Sequence, residues 1–337
     1  MTGRGILFIL CLLSVVLTAT TSLGVTELVL DGNTITDANG RRITVTKPFE
    51  RIISLYGAHT ENLFELGAGD QVVGVPRHAD WPAAARSRPI HSYHDDVERF
   101  LAARPDLVLI RPMIDRGYAR LVGRLEANGI VVLSLQPSSI EQMFVYWRIM
   151  GLLVGRKPAA EEMVTRFEKT VRRIRMQTDR IPNKKRVYFE AIHDRMRTFS
   201  PSAMPIFVLE TAGGINVAGD AAPRRGTNIA DYGKERILSR GREIDVYMAQ
   251  FGPMNRPNVA SIKAEPGYDT IRAVQRNSIF VIDEKLVSRP TMRLLAGICR
   301  IGKLLYPDFF MEGELAAACL PPPDGRVGNS LQKEERP

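Results

Sequence analysis

Residues 159–176 read AAEEMVTRFEKTVRRIRM, and this stretch decides the architecture that we expect for the chain. Its apolar residues recur every three or four positions, which predicts one amphipathic helix that runs on to about Arg180. At 1.5 Å per residue, roughly 20 residues span about 30 Å, the width of a small domain, so the helix suits a rigid strut. An ordinary surface helix is the alternative interpretation. The residues of the apolar face are Met163, Phe167, Val171 and Ile174.

Short apolar strands alternate with helices on both sides of the strut. A strand at 51–55 is followed by a helix at 60–67, and the alternation resumes after Pro182. This pattern is typical of a largely parallel sheet, so the predicted fold class is α/β, with one lobe on each side of the strut. Further strands are expected at 72–75, 106–110, 130–135, 186–191, 244–249 and 278–282, and further helices at 96–103, 118–128, 138–154, 205–212 and 291–305.

The chain divides into six expected segments. A hairpin should precede the first lobe, because Asn39-Gly40 supplies the positive φ of a tight turn between strands at 34–36 and 41–45. The last residues are rich in Pro, Gly and charge, which indicates a flexible tail. The expected boundaries are 1–24 for a signal peptide, 25–48 for the hairpin, 49–137 for the N-terminal lobe, 138–182 for the linking helices, 183–310 for the C-terminal lobe and 311–337 for the tail.

The first residues have the composition of a secretory signal. Arg4 precedes an apolar run from Ile6 to Leu17, and small residues such as Ser22 and Gly24 follow in the pattern of a cleavage site. An uncleaved anchor is the alternative, although about a dozen apolar residues are short for a membrane span. Cys11 lies in the middle of the run, which argues against a lipoprotein. The mature protein is therefore expected in the periplasm.

The composition excludes several classes of protein. With 45% hydrophobic and 25% charged residues among 337, the chain can bury a core, which argues against a disordered chain, a collagen or a coiled coil. Only 3 cysteines occur, so neither a disulfide scaffold nor a cysteine-based zinc module is expected. The net charge of +9 accompanies no DNA- or RNA-binding signature, so no nucleic-acid partner is expected. The basic surface indicates a solvated face or an attraction for an anionic ligand.

Motifs for catalysis are absent from the sequence. There is no G-x-S-x-G elbow, no P-loop and no H-E-x-x-H pair. His59 with Glu61, or His94 with Asp95, could form an acid–base pair, but no nucleophile accompanies either pair at a readable spacing. The sequence therefore predicts a protein that is not an enzyme, with a secreted metal-dependent hydrolase as the alternative.

Polar, aromatic and basic side chains cluster where the expected strands end. Ligands of open α/β sheets bind outside the carboxyl ends of the strands, so two facing lobes would form a cleft lined by these residues. All 5 histidines are expected in such loops, and His59, His94 and His193 are the candidates for contact with a metal through a bound ligand. Arginine suits carboxylates and other anionic groups. The candidate ligand-binding residues are Tyr56, His59, His78, Tyr93, His94, Arg111, His193, Arg195, Met254 and Arg289.

Several segments occur in an order that resembles one known family. The segments are Asp37 with Gly40-Arg41, Arg51-Ile52-Ile53-Ser54-Leu55, Arg104-Pro105-Asp106 and Gly213-Gly214-Ile215-Asn216. The family comprises the substrate-binding proteins of bacterial ABC importers for iron-siderophores, haem and cobalamin, the class whose lobes are joined by a rigid helix. The resemblance extends from about Thr36 to Phe310.

The resemblance implies two Rossmann-like lobes with a ligand cleft between them. The cargo would be a metal chelate, in the first place an iron-siderophore, with cobalamin or haem as alternatives, and no intrinsic cofactor is implied. The protein would be a monomer that delivers this cargo to an ABC permease dimer with its ATPase subunits. Glu98 and Glu235, which follow capping residues Asp96 and Asp231, match the glutamates that the family presents to the permease, each in the first turn of a helix.

Overall fold

The computed structural model describes residues 27–224, 227–311 and 319. The expected signal peptide and nearly all of the expected tail therefore lie outside the described residues. Within the described part of the chain, no helix combines the length and the apolar character that crossing a membrane requires.

A small antiparallel sheet precedes the first lobe. Its strands, in spatial order, are β1 (Val29–Asp31), β2 (Thr34–Thr36) and β3 (Arg42–Thr44). Asp37 fixes the turn after β2, because its carboxylate accepts hydrogen bonds from the backbone N–H groups of Asn39 at 2.9 Å and Arg41 at 2.8 Å. The expected hairpin corresponds to β2 and β3, and β1 is an additional strand that the sequence pattern did not predict.

The first lobe contains a four-stranded parallel sheet. Its strands are β4 (Ile52–Ser54), β5 (Val72–Gly74), β6 (Leu107–Ile110) and β7 (Val131–Ser134), and its helices are α1 (Gly57–Glu65), α2 (Val97–Ala103), α3 (Pro112–Gly117) and α4 (Ala119–Ala127). The strand order is β5-β4-β6-β7. Every residue of β4 and β6 is buried, as expected for central strands covered by helices on both faces.

Two antiparallel helices follow the first lobe. They are α5 (Ile140–Leu153) and α6 (Lys157–Thr178). Ser139 caps α5, since its hydroxyl accepts a hydrogen bond from the backbone N–H of Gln142 at 3.2 Å. The rings of Trp147 on α5 and Phe167 on α6 pack edge to face with centroids 5.4 Å apart. The predicted apolar face of the strut is confirmed, because Met163, Phe167, Val171 and Ile174 are all buried.

The second lobe contains a mixed six-stranded sheet. Its strands are β8 (Arg186–Ile192), β9 (Arg197–Phe199), β10 (Ile215–Asn216), β11 (Ile229–Asp231), β12 (Val246–Phe251) and β13 (Ile279–Asp283). The strand order is β11-β9-β8-β12-β13, with β10 paired to β8. Strands β8, β12 and β13 are parallel, whereas β9 runs antiparallel to both β8 and β11. The strands β9, β10 and β11 were not predicted, because each has only two or three residues, too few to show an alternating apolar pattern.

Seven helices accompany the second sheet. They are α7 (Met204–Thr211), α8 (Lys234–Ser239), α9 (Val259–Ala264), α10 (Arg272–Gln275), α11 (Glu284–Val287), α12 (Leu294–Leu305) and α13 (Pro307–Met311). One hydrophobic core extends from the small sheet through α5 and α6 to α12 and α13, so both lobes are anchored to the linking helices. The mixed α/β fold with two sheets joined by helices agrees with the predicted fold class.

A disulfide joins Cys299 on α12 to Cys319. The cysteine count led us to expect no disulfide scaffold, and it gave no indication that this pair would form. Disulfides persist in oxidising compartments, so the pair is consistent with a protein that works outside the cytosol.

Candidate functional site

Residues at the carboxyl ends of strands in both sheets meet where the two lobes join. From the first lobe, Tyr56 follows β4 and Arg111 follows β6. The guanidinium carbon of Arg111 lies 4.4 Å from the centroid of the Tyr56 ring, which is the distance of a cation–π contact. Burial raises the pKa of the Tyr56 phenol, so this ring remains neutral at physiological pH. Two predicted ligand-binding residues thus form one aromatic and cationic platform.

Arg289 of the second lobe lies directly over the start of α1. A Cβ atom at position 57 would lie only 2.6 Å from Nη1 of Arg289, so the approach of this side chain requires the glycine found there. Nη1 of Arg289 donates to Oε1 of Glu61 at 2.8 Å, and Nη2 lies 3.8 Å from Oε1 of Glu284. The two lobes are therefore connected through a buried ion pair.

The ion pair neutralises the charge of Arg289 internally. Burial by itself lowers the pKa of Arg289, but Glu61, Tyr56 and Glu284 together outweigh burial and raise it, so the guanidinium stays charged. Burial also raises the pKa of Glu61, against the opposing effects of Arg289 and Arg293. Arg289 is only 5% exposed. Because Arg289 is already paired with Glu61, its contact with an anionic ligand stays a prediction.

The carbonyl of Pro290 is the centre of a second set of contacts between the lobes. It accepts hydrogen bonds from Nδ2 of Asn62 on α1 at 2.9 Å and from Nε1 of Trp147 on α5 at 3.1 Å. Asn62 also donates to the hydroxyl of Tyr146 at 3.2 Å. We call the contacts made by Arg289 and Pro290 with the first lobe and α5 the interlobe joint. All these groups are buried, so the joint restricts movement of one lobe against the other.

An ion pair closes the joint on one side. Nζ of Lys285 on α11 lies 2.5 Å from Oδ2 of Asp80, in the loop after β5. Burial raises the pKa of Asp80, but pairing with Lys285 outweighs this effect and lowers it. A small enclosed space beside the joint, lined in part by Glu61, Trp81 and Arg293, has a volume of about 10 Å³, enough for roughly one water. A large ligand therefore does not fit into this space.

His59 is part of the core of the first lobe. Helix α1 begins at Gly57, so His59 lies on a helix and not in a loop as predicted. Its two ring nitrogens lie 2.7 Å from the hydroxyl of Tyr146 and 3.1 Å from the carbonyl oxygen of Ile110. Burial lowers the pKa of His59 to about 3, so the ring is neutral. Because both nitrogens are occupied and the side chain is inaccessible, the prediction that His59 contacts a ligand or its metal is wrong.

The other first-lobe histidines lie away from the joint. His78 is exposed in the loop after β5, and His91 is buried against Gly74 and Phe100. His94 is exposed and packs with Tyr93 at a centroid distance of 4.5 Å. Both side chains pack against Tyr118, whose ring centroid lies 5.1 Å from that of His94 and 4.7 Å from that of Tyr93. Tyr93 and His94 thus form an aromatic cluster on the first lobe, separate from the platform of Tyr56 and Arg111.

His193 follows β8 in the second lobe. Its Nδ1 lies 2.9 Å from Oε2 of Glu190, whose side chain also accepts a hydrogen bond from the hydroxyl of Tyr247. Its backbone N–H donates to Oδ1 of Asn255 at 2.9 Å. The Glu190 carboxylate raises the pKa of His193, which favours the protonated ring. His193 is therefore held firmly at a strand end, as a site residue needs to be.

The remaining predicted site residues are exposed. Arg195 is exposed in the short helical turn after β8, and Met254 is 67% exposed after β12. Phe251, at the end of β12, is a further exposed apolar residue that was not predicted. In the described part of the chain, none of these three residues makes a hydrogen bond, an ion pair or a cation–π contact with Tyr56 or Arg111.

The two predicted docking glutamates lie in the first turns of α2 and α8. Glu98 accepts a hydrogen bond from Nη2 of Arg124 at 2.7 Å. Its own backbone N–H, and then Arg124, lower the pKa of Glu98. Glu235 is exposed and has no ion-pair partner in the described part of the chain. The two glutamates are therefore exposed in equivalent places but differ in their local pairing.

Sequence patterns missed most of the residues that form the joint. Lys285 and Glu284 follow the last strand, so the rule that ligand sites lie at strand ends could have singled them out. Asn62 and Trp147 carry no such signal, because each lies within a helix and its partner Pro290 is distant in sequence. In the described residues, no group of three or more His, Cys, Asp or Glu side chains is arranged to hold a metal ion.

Comparisons with known proteins agree with this architecture. A family model described as a periplasmic binding protein matches residues 52–286. An uncharacterised ABC transporter substrate-binding lipoprotein of Bacillus subtilis is 25% identical, over 83% of this chain and 87% of that protein. A vitamin B12-binding protein of Vibrio cholerae is 22% identical, over 75% of this chain and 89% of that protein. The structure of a possible iron-binding periplasmic protein of Staphylococcus epidermidis aligns with 77% of this chain and 100% of its own, with a TM-score of 0.67 and 25% identity.

Proposed function

Because the chain belongs to the periplasmic binding protein family, we propose that it captures a metal chelate, in the first place an iron-siderophore, and delivers it to the permease of an ABC importer. The family predicted from the sequence is confirmed by the match over residues 52–286. The coarser conclusion, that the chain is the substrate-binding protein of an ABC transporter outside the cytoplasm, follows from its family and from its relatives. Its family consists of binding proteins, and we assign it no catalytic role.

The observation that carries the proposal is the pairing of Tyr56 with Arg111 at the mouth of the interlobe joint. These residues follow adjacent parallel strands, at the edge of the sheet where ligands of α/β folds bind. A planar aromatic ring beside a guanidinium suits the oxygen-rich, anionic surface of a ferric chelate. The relative from Staphylococcus epidermidis, described as a possible iron-binding protein, supports iron as the metal.

A second candidate cargo is a corrinoid or a haem. Phe251 and Met254, both at the carboxyl end of β12, are 46% and 67% exposed. Exposed apolar side chains near a binding edge favour a ligand with a large apolar surface. The vitamin B12-binding relative from Vibrio cholerae supports this alternative. With either cargo, His193 and Arg195 would contact the ligand from the second lobe. Contact with Tyr93, His94 and His78 would require a ligand that extends over the first lobe.

The partner in this proposal is an ABC permease dimer with its ATPase subunits. Glu98 and Glu235 would each enter a basic pocket of one permease subunit, and the protein would act as a monomer. Their places in the first turns of α2 and α8 put both carboxylates at the carboxyl edges of the two sheets, on the side where the joint opens. Delivery of cargo and docking would then use the same side of the molecule.

The proposed location is the periplasm, reached by a signal peptide within residues 1–24. The disulfide between Cys299 and Cys319 supports an oxidising compartment. The relative from Bacillus subtilis is a lipoprotein, but the position of Cys11 within an apolar run leads us to propose a soluble exported protein.

Titration of the purified protein with three probes tests the proposal. Ferric enterobactin, cyanocobalamin and haemin would each be added while the fluorescence of Trp81 and Trp147 is followed, these being the only 2 tryptophans. We expect ferric enterobactin, an anionic chelate, to bind with micromolar or tighter affinity, which corresponds to about 8 kcal/mol of binding free energy. Preferential binding of cyanocobalamin or haemin would support the second cargo. The proposal is overturned if no probe binds and native mass spectrometry finds no chelate on the protein isolated from its own cells.

Matched variants connect the binding measurement to the site. Replacing Arg111 by Ala should weaken the probe that binds, because its guanidinium is part of the platform. Arg116→Ala removes an exposed arginine from α3 and should leave affinity unchanged. Equal effects of the two substitutions would remove the platform from the binding site.

A further inference from the structure

The outward face of α6 is strongly basic, and neither cargo binding nor permease docking accounts for it. The buried residues of this helix lie on one side, and Lys169, Arg172 and Arg173 lie on the opposite side, where all three are exposed. Met176 lies among them with 58% of its surface exposed. On a helix with 3.6 residues per turn, these four positions form one continuous stripe.

The positive charge continues beyond the end of the helix. Residues 166–186 include nine basic and two acidic side chains. Arg180 and Lys185 are exposed, like the three basic residues of the stripe. In the described residues none of these five cations takes part in an ion pair, whereas Lys184 pairs with Asp179 at 3.3 Å. We call Lys169, Arg172, Arg173, Met176, Arg180 and Lys185 the basic face.

The basic face lies at the opposite edge of the second sheet from the docking glutamate. Helix α6 leads into the amino end of β8, whereas α8 begins at the carboxyl edge, where Glu235 lies. The helix dipole favours cations in the last turn of a helix, but Lys169, Arg172 and Arg173 precede the last turn of α6. A different physical reason is therefore needed for this concentration of unpaired charge.

We propose that the basic face binds the headgroups of an anionic phospholipid bilayer, with Met176 entering the interface between headgroups and acyl chains. Lysine and arginine side chains are attracted by the negative surface potential of acidic lipids, and an exposed apolar residue among them adds apolar burial. Charge complementarity supports this occupant, because a stripe of unpaired cations matches a surface of closely spaced negative headgroups. In so far as the proposed function holds, this orientation turns both the joint and the docking glutamates away from the lipid, so the lipid-bound protein can take up cargo but has to leave the lipid before it docks on the permease.

Sedimentation with vesicles tests the proposal on the purified protein without any cargo. Vesicles of phosphatidylcholine alone are compared with vesicles that contain about 30% phosphatidylglycerol. We expect binding only to the anionic vesicles and its loss as salt is raised toward 0.5 M, because screening shortens the range of the attraction. Arg172→Glu with Arg173→Glu should lower the partition coefficient on the order of tenfold or more, given the contribution of each basic residue near a charged membrane.

Two further variants distinguish the contribution of the basic face to vesicle binding from the effect of the net charge of the protein. Arg116→Glu with Arg120→Glu makes the same change in net charge with exposed residues of the first lobe, and it should leave vesicle binding nearly unchanged. Met176→Gln should weaken binding without changing any charge. Circular dichroism confirms that each variant is folded before it is compared.

Three outcomes overturn the proposal. The first is equal binding to neutral and anionic vesicles, and the second is an equal effect of the two double variants. The third is binding to a soluble polyanion such as double-stranded DNA with no binding to vesicles, which would indicate a polymer partner. Absence of vesicle binding in a protein that still binds a chelate would leave the proposed function intact, so the two proposals fail separately.

Discussion

Nδ2 of Asn62 on α1 donates a hydrogen bond of 2.9 Å to the carbonyl of Pro290, in the connection that follows the last strand of the second sheet. Asn62 and Pro290 are 228 positions apart in the sequence, and so are Glu61 and Arg289. Contacts across the joint therefore have no local sequence signal. Because Trp147 on α5 donates to the same carbonyl, three parts of the chain are fixed at one atom. The joint is consequently a structural link between the lobes as well as the base of the proposed site.

Removing the Asn62 donor should loosen the joint. In Asn62→Leu, the Pro290 carbonyl keeps only Trp147, and the hydroxyl of Tyr146 loses a partner, so we expect the free energy of unfolding to fall by about 1–3 kcal/mol. Urea denaturation measures this change. Asn128→Leu is the control, since Asn128 also donates to a backbone carbonyl, that of Arg124, but is exposed. Equal losses in both variants would show that the joint has no special role.

Limited movement of the lobes is a second consequence of the joint. The buried contacts of Pro290 and Arg289 hold the lobes at a fixed separation, and α6 is anchored in the same core as both sheets. We therefore expect small-angle scattering profiles of the free protein and of its complex with a bound probe to differ little. A wide closure on binding, visible as a clear fall in the radius of gyration, would contradict this expectation.

Arg289 and Arg111 should respond differently to substitution. Arg289→Met leaves Arg293, at 3.8 Å, as the cation nearest to the buried Glu61 carboxyl, so we expect a loss of about 3–5 kcal/mol in the free energy of unfolding. Adding Glu61→Gln should restore part of this loss. Arg111→Ala breaks no buried ion pair and should weaken cargo binding while stability changes little. Thermal unfolding and probe titration of each variant measure the two effects, and a stable Arg289→Met protein would show that the ion pair is dispensable.

The alternation of strands and helices could be predicted from sequence because each element carries its own periodicity. The buried face of α6 is an example, since Phe167 and Val171 are spaced for one helix face whatever surrounds them. The start of α1 was placed three residues late, because Gly57 is a poor helix former and only its contact with Arg289 explains its position. This error made His59 look like a loop residue.

The candidate site was predicted less well because its chemistry depends on contacts between the lobes. Sequence identifies an arginine at a strand end, but it does not reveal that Glu61 neutralises Arg289 while Arg111 lies over an aromatic ring. The hydrogen bonds of His59 are hidden for the same reason, since Tyr146 lies on α5, outside the first sheet. A strand-end rule finds the neighbourhood of a site, and only tertiary contacts decide which side chains are free to bind.

The buried, neutral His59 should make stability depend on pH. Its pKa is about 3 in the folded protein and about 6.5 in an unfolded chain, so the unfolded state binds the proton first as pH falls. The free energy of unfolding therefore decreases progressively as pH falls from about 6.5 to 3. Between pH 7 and pH 5 we expect the titration of His59 to lower it by about 2 kcal/mol.

Urea denaturation at the two pH values measures this effect. His59→Gln should lose less stability between pH 7 and pH 5 than the parent protein, because the glutamine side chain does not titrate. His78→Gln provides the control, since His78 is exposed and its replacement should leave the pH dependence unchanged. An unchanged pH dependence in His59→Gln would mean that the ring is accessible to protons in the folded state.

Glu98→Ala and Glu235→Ala should each reduce uptake while the affinity for cargo stays nearly intact. Both carboxylates are exposed in first helical turns at the carboxyl edges of the sheets and contact none of the platform residues. Arg124→Ala should change uptake less than Glu98→Ala, because it leaves the Glu98 carboxylate in place and frees it for a permease cation. Glu162→Ala, which removes an exposed glutamate from α6, is the control. Uptake in cells and titration of the purified variants separate the two roles: a loss of cargo affinity with unimpaired delivery would place these glutamates in the binding site instead of the docking surface.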